Sequence, residues 1–326
     1  MNAKLMSTKN FLRIAISTLW LVALFGCQKN EPNDPDPPPS GPVEVIAYAF
    51  QPGTAGEIHK IYTINSDGTG NKQAVFANIG LNHLDWSPDG TRFALVGYMD
   101  NTNLTWSIHT VNVDGTNLTR LTAVGNVQDS EPSWSPNGLH IAFTRMFPQQ
   151  NNRNELWLMN ADGSNQRTIG VQGFAAKWSP DSARFIYTSN RSGNQEIYTC
   201  NIDGSNELQL THTSVDEWMP TWSPDGSQIA FSLSTGVWEA GSRTTYEIFV
   251  MNNDGTNVRQ LTNNNFFDYY PRWSANGTRI TFESDRAAAE HWEVYVMNTD
   301  GTDVRRVTNS PGSYTAICPT WRPSTH

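Results

Sequence analysis

Short apolar runs separated by polar turns cover most of the chain. In the segment 221–262, the run Gln228–Ser232 follows an Asp-Gly pair and the run Glu247–Asn252 precedes another. Runs of this length that are bounded by turn residues predict β-strands. The second run is apolar at four consecutive positions, 248–251. This pattern predicts a central strand that is covered on both faces.

The same segment recurs along the chain. Its opening element, Trp-Ser-Pro-Asp-Gly, degenerates to Trp-Arg-Pro in the last copy, and its closing element is Asn-x-Asp-Gly. The copies are about 47 residues apart on average, and a fixed period of this size is typical of solenoids and propellers. The opening element begins at Trp86, Trp134, Trp178, Trp222, Trp273 and Trp321, and the closing element at Asn65, Asn112, Asn160, Asn201, Asn252 and Asn298.

Each repeat contains four predicted strands. In the copy around Trp222, the first strand, 218–222, leads through a Ser-Pro-Asp-Gly turn into Gln228–Ser232, and a longer polar loop leads to Glu247–Asn252. The Asn-Asn-Asp-Gly turn then leads into the fourth strand, 259–262. Pro and Gly at these turn positions suit a type I turn with a left-handed glycine. Four-stranded antiparallel sheets arrayed radially form a β-propeller, so we expect an all-β fold.

The number of blades follows from the register of the repeats. The first copy, 43–80, has strands two to four but no Trp-containing first strand, and the chain ends with a first strand, 317–321, that no further strands follow. Together the two fragments complete one blade. The sequence therefore predicts a six-bladed β-propeller over residues 43–326, with the ring closed by the C-terminal strand joining blade 1.

The region before the propeller has a different composition. Residues 1–26 carry three basic residues, no acid and an apolar run, 14–25, which is too short to span a bilayer as a stable helix and indicates a signal peptide. The sequence Leu-Phe-Gly-Cys at 24–27 resembles the lipobox of bacterial lipoproteins. We therefore expect Cys27 to be the lipidated residue, although an ordinary cleaved signal with an incidental Cys is the alternative.

Residues 27–42 are expected to form a lipidated Pro-rich tether. The segment is rich in proline and has almost no apolar side chain to bury, so it favours an extended chain. The run Gln-Lys-Asn-Glu at 28–31 is similar to signals that route some lipoproteins to the outer face of the outer membrane. These features predict an outer-membrane lipoprotein, on its periplasmic or its cell-surface side, which contacts the membrane through the lipid anchor.

Charge and cysteine content narrow the function classes. The formal net charge is −9, and no Lys/Arg stripe is present, so we expect no nucleic-acid partner. Cys200 and Cys318 fall in opposite blades of the predicted ring, which argues against a disulfide between them. The chain has seven His, scattered over different repeats without ligand-like spacing, so we expect no metal site or cofactor of that kind.

The predicted topology separates two faces of the propeller. The Ser-Pro-Asp-Gly and Asn-x-Asp-Gly turns lie on one face, the short-turn face. The blade-to-blade loops and the loops between strands two and three lie on the other, the long-loop face. The latter loops vary in length and composition, as binding loops on rigid scaffolds do.

Acidic and aromatic residues are predicted at the channel mouth on the long-loop face, because they precede the repeated Trp by three to five positions. Such a mixture suits a basic or aromatic peptide, a sugar or a cation. The alternatives are that the acids accept hydrogen bonds at strand starts and that the aromatic residues pack beneath the loops. The predicted ligand-binding residues are Asp129, Glu131, Phe174, Glu217, Trp218, Asp268, Tyr269 and Tyr270.

Taken together, the repeats resemble those of the TolB-type propeller family, with WD40-like repeats of the cell envelope; the resemblance covers residues 43–321. It implies a non-enzymatic scaffold whose channel mouth binds a protein or peptide, with a channel cation in some members. We expect no separate N-terminal α/β domain like that of TolB, because the residues before the predicted propeller leave no room for one. The chain also has no Gly-x-Ser-x-Gly nucleophile elbow of the kind found in propeller-bearing peptidases.

Three functions remain open from the sequence. The first is a monomeric, lipid-anchored envelope protein that binds a protein or peptide without catalysis. The second is a glycan-binding protein or a polysaccharide lyase, by analogy with lyases built on similar repeats. The third is a purely structural envelope component.

Overall fold

The computed structural model describes residues 44–51, 59–75, 80–98, 106–123, 125–235, 245–288 and 291–324. These residues form 24 β-strands and one 3-10 turn, Pro148–Gln150, and the strands make six four-stranded sheets. Every sheet is antiparallel throughout. The predicted all-β fold with six four-stranded blades is confirmed.

The strand bounds follow the repeat. In chain order the strands are β1 Val45–Gln51, β2 Lys60–Asn65, β3 Lys72–Val75, β4 Gly80–Trp86, β5 Arg92–Tyr98, β6 Ser107–Asn112, β7 Thr119–Arg120, β8 Gln128–Trp134, β9 His140–Phe147, β10 Arg153–Asn160, β11 Arg167–Gln172, β12 Phe174–Trp178, β13 Arg184–Ser189, β14 Glu196–Asn201, β15 Leu208–Gln209, β16 Glu217–Trp222, β17 Gln228–Ser234, β18 Tyr246–Asn252, β19 Arg259–Gln260, β20 Asp268–Trp273, β21 Arg279–Ala288, β22 His291–Asn298, β23 Arg305–Arg306 and β24 Thr315–Trp321.

The ring is closed by strands that are far apart in the sequence. Blade 1 has the order β24-β1-β2-β3, and blades 2 to 6 each take four consecutive strands, from β4–β7 to β20–β23. Strand β24 pairs with β1 from Gln51 opposite Thr315 to Ile46 opposite Trp321. The first strands of neighbouring blades contact one another around the whole ring, including β24 against β4. The predicted closure of the ring is therefore confirmed.

The repeated Trp residues form the core between blades. All six are at most 9% exposed. The indole N–H of Trp178 donates to the carbonyl of Ser133 in the preceding blade at 3.0 Å, and that of Trp321 donates to the carbonyl of Arg272 at 3.0 Å. Each indole thus packs between two sheets, and three of the six, with Trp86 to the carbonyl of Thr320 as the third, also link the sheets by a hydrogen bond. The indole N–H groups of Trp134, Trp222 and Trp273 are buried and have no hydrogen-bond partner among the described residues. This explains why an indole recurs at the end of each first strand.

The first strand of every blade contains a bulge. The register with the second strand shifts within the four residues before the Trp. The residue three positions before each Trp has a positive φ, between 41° and 60°, although none of the six is glycine. A left-handed residue in a bulge turns its neighbours relative to the regular pleat. The bulge therefore decides which side chains enter the channel.

Predictions about the N-terminal region fall outside the described residues. The signal peptide, Cys27 and the tether all lie within residues 1–43, so their assignment stays a prediction. Among the described residues, no helix has the length and apolar character needed to cross a membrane. Cys200 and Cys318 are both buried and free, as expected from their positions in opposite blades.

Candidate functional site

The channel is lined by three successive rings of side chains from the first strands. Each ring contains one residue from each blade, at a fixed distance in sequence from the repeated Trp. The long-loop ring, four positions before each Trp, consists of Asn82, Ser130, Phe174, Trp218, Tyr269 and Ile317. The neck ring, three positions before each Trp, consists of His83, Glu131, Ala175, Met219, Tyr270 and Cys318. The short-turn ring, directly before each Trp, consists of Asp85, Ser133, Lys177, Thr221, Arg272 and Thr320.

The acids five positions before Trp are held inside the protein. Asp129 is 0% exposed. Its carboxylate receives two parallel hydrogen bonds from Arg145, Nε to Oδ1 at 2.7 Å and Nη2 to Oδ2 at 2.8 Å. The guanidinium also lies 4.1 Å from the Trp157 ring centroid. A bidentate pair of this kind satisfies both carboxylate oxygens.

Asp268 and Glu217 are also fully buried. Asp268 accepts hydrogen bonds from Ser284, Arg286 and Asn264 at 2.6 to 2.8 Å. Glu217 accepts a 2.5 Å hydrogen bond from the Thr213 hydroxyl. Burial, reinforced by neighbouring Glu196, raises the pKa of Glu217 above its ordinary value. The structure therefore places these two predicted binding residues at strand starts with protein partners.

The side chains of the neck ring meet across the channel. Tyr270, from blade 6, donates its hydroxyl to Glu131 Oε2, from blade 3, at 3.0 Å. His83 Nε2 lies 3.0 Å from the other oxygen of the same carboxylate. Five of the six residues in this ring are buried. Side chains from opposite blades therefore meet at the channel axis, between its long-loop end and its short-turn end.

A further acid at the neck was not predicted from the sequence. Glu283, on β21, accepts the backbone N–H of Cys318 at 2.8 Å. In blades 3 and 4, the hydroxyl of Thr144 accepts the backbone N–H of Ala175 at 3.0 Å. A hydroxyl can therefore take the place of the carboxyl as the acceptor for the N–H of a neck-ring residue. Burial raises the pKa of Glu283 to about 7, against the effect of this N–H, and the charge of Glu131 adds to the rise. Its signal in the sequence was an acid ten positions after Trp273, where the equivalent position of blade 3 is Thr144.

The predicted aromatic residues come together on the long-loop side. Phe174 and Trp218 lie with ring centroids 5.1 Å apart. A second group continues around the mouth, with Tyr269 5.5 Å from Tyr246. All members of the set are half-buried. We call this set the aromatic arc: Phe174, Trp218, Tyr246, Phe267, Tyr269 and Trp292.

A polar pocket opens beside Phe174, between blades 3 and 4. It has a volume of ≈ 290 Å³ and is lined mainly by amide side chains, among them Asn154, Gln172 and Gln195. The Oε1 atom of Gln195 is buried and has no hydrogen-bond partner among the described residues. The pocket therefore offers amide groups next to an aromatic ring.

A cavity of ≈ 340 Å³ occupies the other end of the channel, on the short-turn face. The repeated Trp-Ser-Pro turns form its rim, and Asp85, Lys177, Thr221 and Arg272 from the short-turn ring line it. The sequence reasoning considered only positions three to five before Trp. It missed this ring, although Lys177 and Arg272 stand directly before Trp178 and Trp273.

The acids of the channel could in principle hold a metal ion if they formed a metal-ligand set. Within the part of the chain that the structure describes, no group of three or more His, Cys, Asp or Glu side chains could hold a metal ion. The acids around the neck and at the strand starts are instead bonded to Tyr, Arg, Ser, Thr and Asn side chains.

Comparison with known proteins adds sequence and structural relatives. The family model described as "TolB beta propeller domain" matches residues 220–325. A TolB homolog of Chlorobium chlorochromatii is 31% identical over 151 residues, which cover 36% of this chain and 34% of the relative. The chain thus spans about a third of the length of the curated relatives it matches.

Solved structures share the fold. TolB from Acinetobacter baumannii gives a TM-score of 0.72 at 22% identity, covering 86% of this chain and 67% of that one. Oligogalacturonate lyase from Vibrio parahaemolyticus gives a TM-score of 0.52 at 13% identity, covering 78% and 72%. Together with the six blades, these findings confirm the resemblance to TolB-type propellers.

Proposed function

We propose that this TolB-type propeller is a non-catalytic scaffold of the bacterial cell envelope that binds a protein or peptide through the aromatic arc. Relatives of this chain include a TolB homolog of Chlorobium chlorochromatii and a Tol-Pal system protein, TolB, of Anaeromyxobacter dehalogenans. Membership of the Tol-Pal system is a property of the latter relative.

The observation that supports the proposal most directly is the contrast between the acids and the aromatic residues. Asp129, Glu217 and Asp268 are 0% exposed, whereas Phe174, Trp218 and Tyr269 keep part of their rings accessible. Half-buried aromatic rings held by a rigid scaffold are common anchors in interfaces. The arc spans three neighbouring blades, which suits a segment lying across the mouth.

The chemistry of the arc favours an apolar or aromatic peptide segment. The three acids already have protein partners, and Glu131 is engaged by Tyr270 and His83. The partner would therefore be held chiefly by apolar burial. Exposed Phe266, 42% accessible, extends the apolar surface beyond the arc.

The proposed location rests on the N-terminal region. Lipidation of Cys27 would tether the propeller to the outer membrane through the Pro-rich segment, on the periplasmic or the cell-surface side. A monomer is sufficient for this role, because the arc is complete within one chain.

The experiment compares capture of envelope proteins by the wild type and by the double variant Trp218→Ala, Tyr269→Ala. Removing aromatic anchors typically costs on the order of 2–4 kcal/mol of binding, so the double variant should lose its partner. Its thermal stability should change little, because both rings are half-buried.

The matched control is Trp222→Ala, four residues from Trp218. Trp222 is buried between blades, so this change should lower stability and leave capture intact at temperatures where the protein stays folded. Normal capture by the double variant would show that the arc is only packing. Absence of any captured partner with the wild type would favour the structural role.

A second function, glycan binding, is supported by the amide-lined pocket beside Phe174. Amide groups that adjoin an aromatic ring suit the hydroxyls and the apolar face of a sugar. A glycan array and a uronate-lyase assay would test this function. Retention of a glycan that is lost in Gln172→Ala and kept in Trp218→Ala would favour it over peptide binding.

A further inference from the structure

The cavity on the short-turn face is lined by two buried cationic side chains. Lys177 is 7% exposed and Arg272 is 6% exposed, and they enter the cavity from blades 4 and 6. Asp85 is the acidic residue among its lining residues. The lining therefore carries an excess of one positive charge, in a protein whose formal net charge is −9.

The buried ammonium group of Lys177 makes few polar contacts that would compensate for its loss of hydration. Its Nζ donates to the carbonyl of Pro132 at 3.4 Å, a long contact for a group with three donors. Burial, together with the charge of Arg272, lowers the pKa of Lys177 to about 8, while Asp85, Glu131 and Cys318 act in the opposite direction. An additional anion beside Nζ would stabilise the charged form.

Arg272 is fixed in place with unused donors. Its guanidinium stacks over Tyr270, 4.3 Å from the ring centroid, and Nη1 donates to the carbonyl of Pro271 at 3.1 Å. Its Nη2 is buried and has no hydrogen-bond partner among the described residues. A buried, unpaired donor of this kind is costly unless a ligand meets it.

Asp85 neutralises only part of this charge. One of its oxygens, Oδ2, accepts the backbone N–H of Trp134 at 2.8 Å. The rim consists of indole rings and prolines, which favour an organic ligand over a strongly hydrated inorganic ion. A singly charged group matches the excess of one positive charge.

We propose that this cavity binds the carboxylate of a small organic acid or of a peptide, held between Lys177 and Arg272. The indole rings would contact the apolar part of the ligand. The site is distinct from the aromatic arc, because no residue of the arc lines this cavity. If the long-loop face proves not to bind a peptide, the carboxylate proposal is unaffected. If the cavity proves not to bind a carboxylate, the peptide-binding proposal is likewise unaffected.

The test is calorimetric titration of the detergent-solubilised full chain with propionate and with an alanine tripeptide, the latter with a free or an amidated C-terminus. We expect one site per chain for the carboxylates and at least tenfold weaker binding of the amide. Tight binding of the free tripeptide with weak binding of propionate would identify a chain terminus as the source of the carboxylate, and the opposite order would identify a small acid.

Three variants locate the site. Lys177→Met and Arg272→Gln should each weaken carboxylate binding at least tenfold, and Asp85→Asn should strengthen it several-fold by removing the opposing charge. Lys72→Met, at an exposed lysine on β3, is the matched control and should change nothing. No binding of either carboxylate to the wild type, or unchanged affinity in Lys177→Met, overturns the proposal.

A second measurement covers variants that fail to fold. An amine-reactive label at pH 8 should modify Lys177 in the wild type, and saturating carboxylate probe should reduce that modification at least fivefold while leaving Lys72 unchanged. Peptide mass spectrometry reads both sites. Equal labelling of Lys177 with and without the probe contradicts the proposal.

Discussion

Tyr270 and Glu131 meet across the central channel, from blades that face each other in the ring, with 3.0 Å between the Tyr hydroxyl and Glu131 Oε2. Both residues lie in the bulge of their first strands, with φ of 60° and 50°. The left-handed conformation directs each side chain toward the axis. A direct hydrogen bond between opposite blades therefore crosses the channel.

This bond gives the first prediction. Tyr270→Phe removes the hydroxyl and should cost about 1–2 kcal/mol of unfolding free energy, because the Glu131 carboxyl loses a buried partner. Denaturant unfolding measures the change. Tyr269→Phe, whose hydroxyl has no hydrogen-bond partner among the described residues, is the control and should cost under about 0.5 kcal/mol. Equal losses in the two variants would contradict the role of the cross-channel bond.

The second prediction concerns pH and Glu283. Its pKa of about 7 in the folded protein exceeds the ~4.3 of an unfolded glutamate. Between these values the folded chain keeps a proton that the unfolded chain has lost, so stability falls as pH rises from 5 to 8. Glu283→Gln should remove this contribution and gain roughly 1–3 kcal/mol over the wild type at pH 8, with little difference near pH 4.

The control for Glu283 is Asp114→Asn, at a fully exposed turn carboxylate that accepts hydrogen bonds from Thr116. Those hydrogen bonds lower the pKa of Asp114, so its titration lies below this window and the pH slope should be unchanged. A pH slope for Glu283→Gln identical to that of the wild type would show that Glu283 ionises normally in the fold.

The third prediction concerns the core between blades. Trp222 packs among Ile186, Ile229 and Met251, with Arg184 5.2 Å from its ring centroid. Trp222→Ala should destabilise the protein by about 3–5 kcal/mol through the cavity it leaves. Calorimetric melting checks the loss, and Leu139→Ala, at a 62% exposed side chain, serves as the control with almost no effect.

The fourth prediction tests ring closure. Deleting Ser313–His326 removes β24, leaves β1 with an unpaired edge, and takes away the buried Trp321. We expect the cooperative unfolding transition of the whole propeller to be lost, and thermal melting followed by circular dichroism would show this. A truncated protein that melts like the full chain would contradict closure of the ring by this strand.

The fifth prediction concerns anchoring. Cys27→Ser should abolish lipidation and leave the protein uncleaved or in the soluble fraction of a cell lysate. Cys200→Ala, at a buried core position, should leave anchoring unchanged. Membrane-bound Cys27→Ser protein with the mobility of the mature form would refute the lipobox interpretation.

The fold could be predicted because the same pattern of strands and turns recurs in every repeat. Six copies of the Trp-containing element give the blade count, and the turns fix strand order with bounds within a few residues of the structure. The fourth strands are shorter than expected, since the predicted strand 259–262 is Arg259–Gln260 in the structure. Thr262 instead accepts the backbone N–H of Ile248 through its hydroxyl.

The channel site was less predictable from the sequence. Positions relative to Trp located its residues, but the partners of the acids come from second strands and loops, as Arg145 and Arg286 show. A period cannot reveal such pairings, because each blade uses a different partner. The bulge was equally hidden, since residues as different as Ala175 and Tyr270 adopt the same left-handed conformation.

Closure of blade 1 by β24 also has a consequence for the order of folding. Strand β1 is synthesised before its partner by more than two hundred residues, so blade 1 cannot be completed until nearly the whole propeller has emerged. Such distant pairing slows folding and leaves a strand edge exposed in the meantime. During that interval the unpaired edge of β1 is open to pairing with another chain.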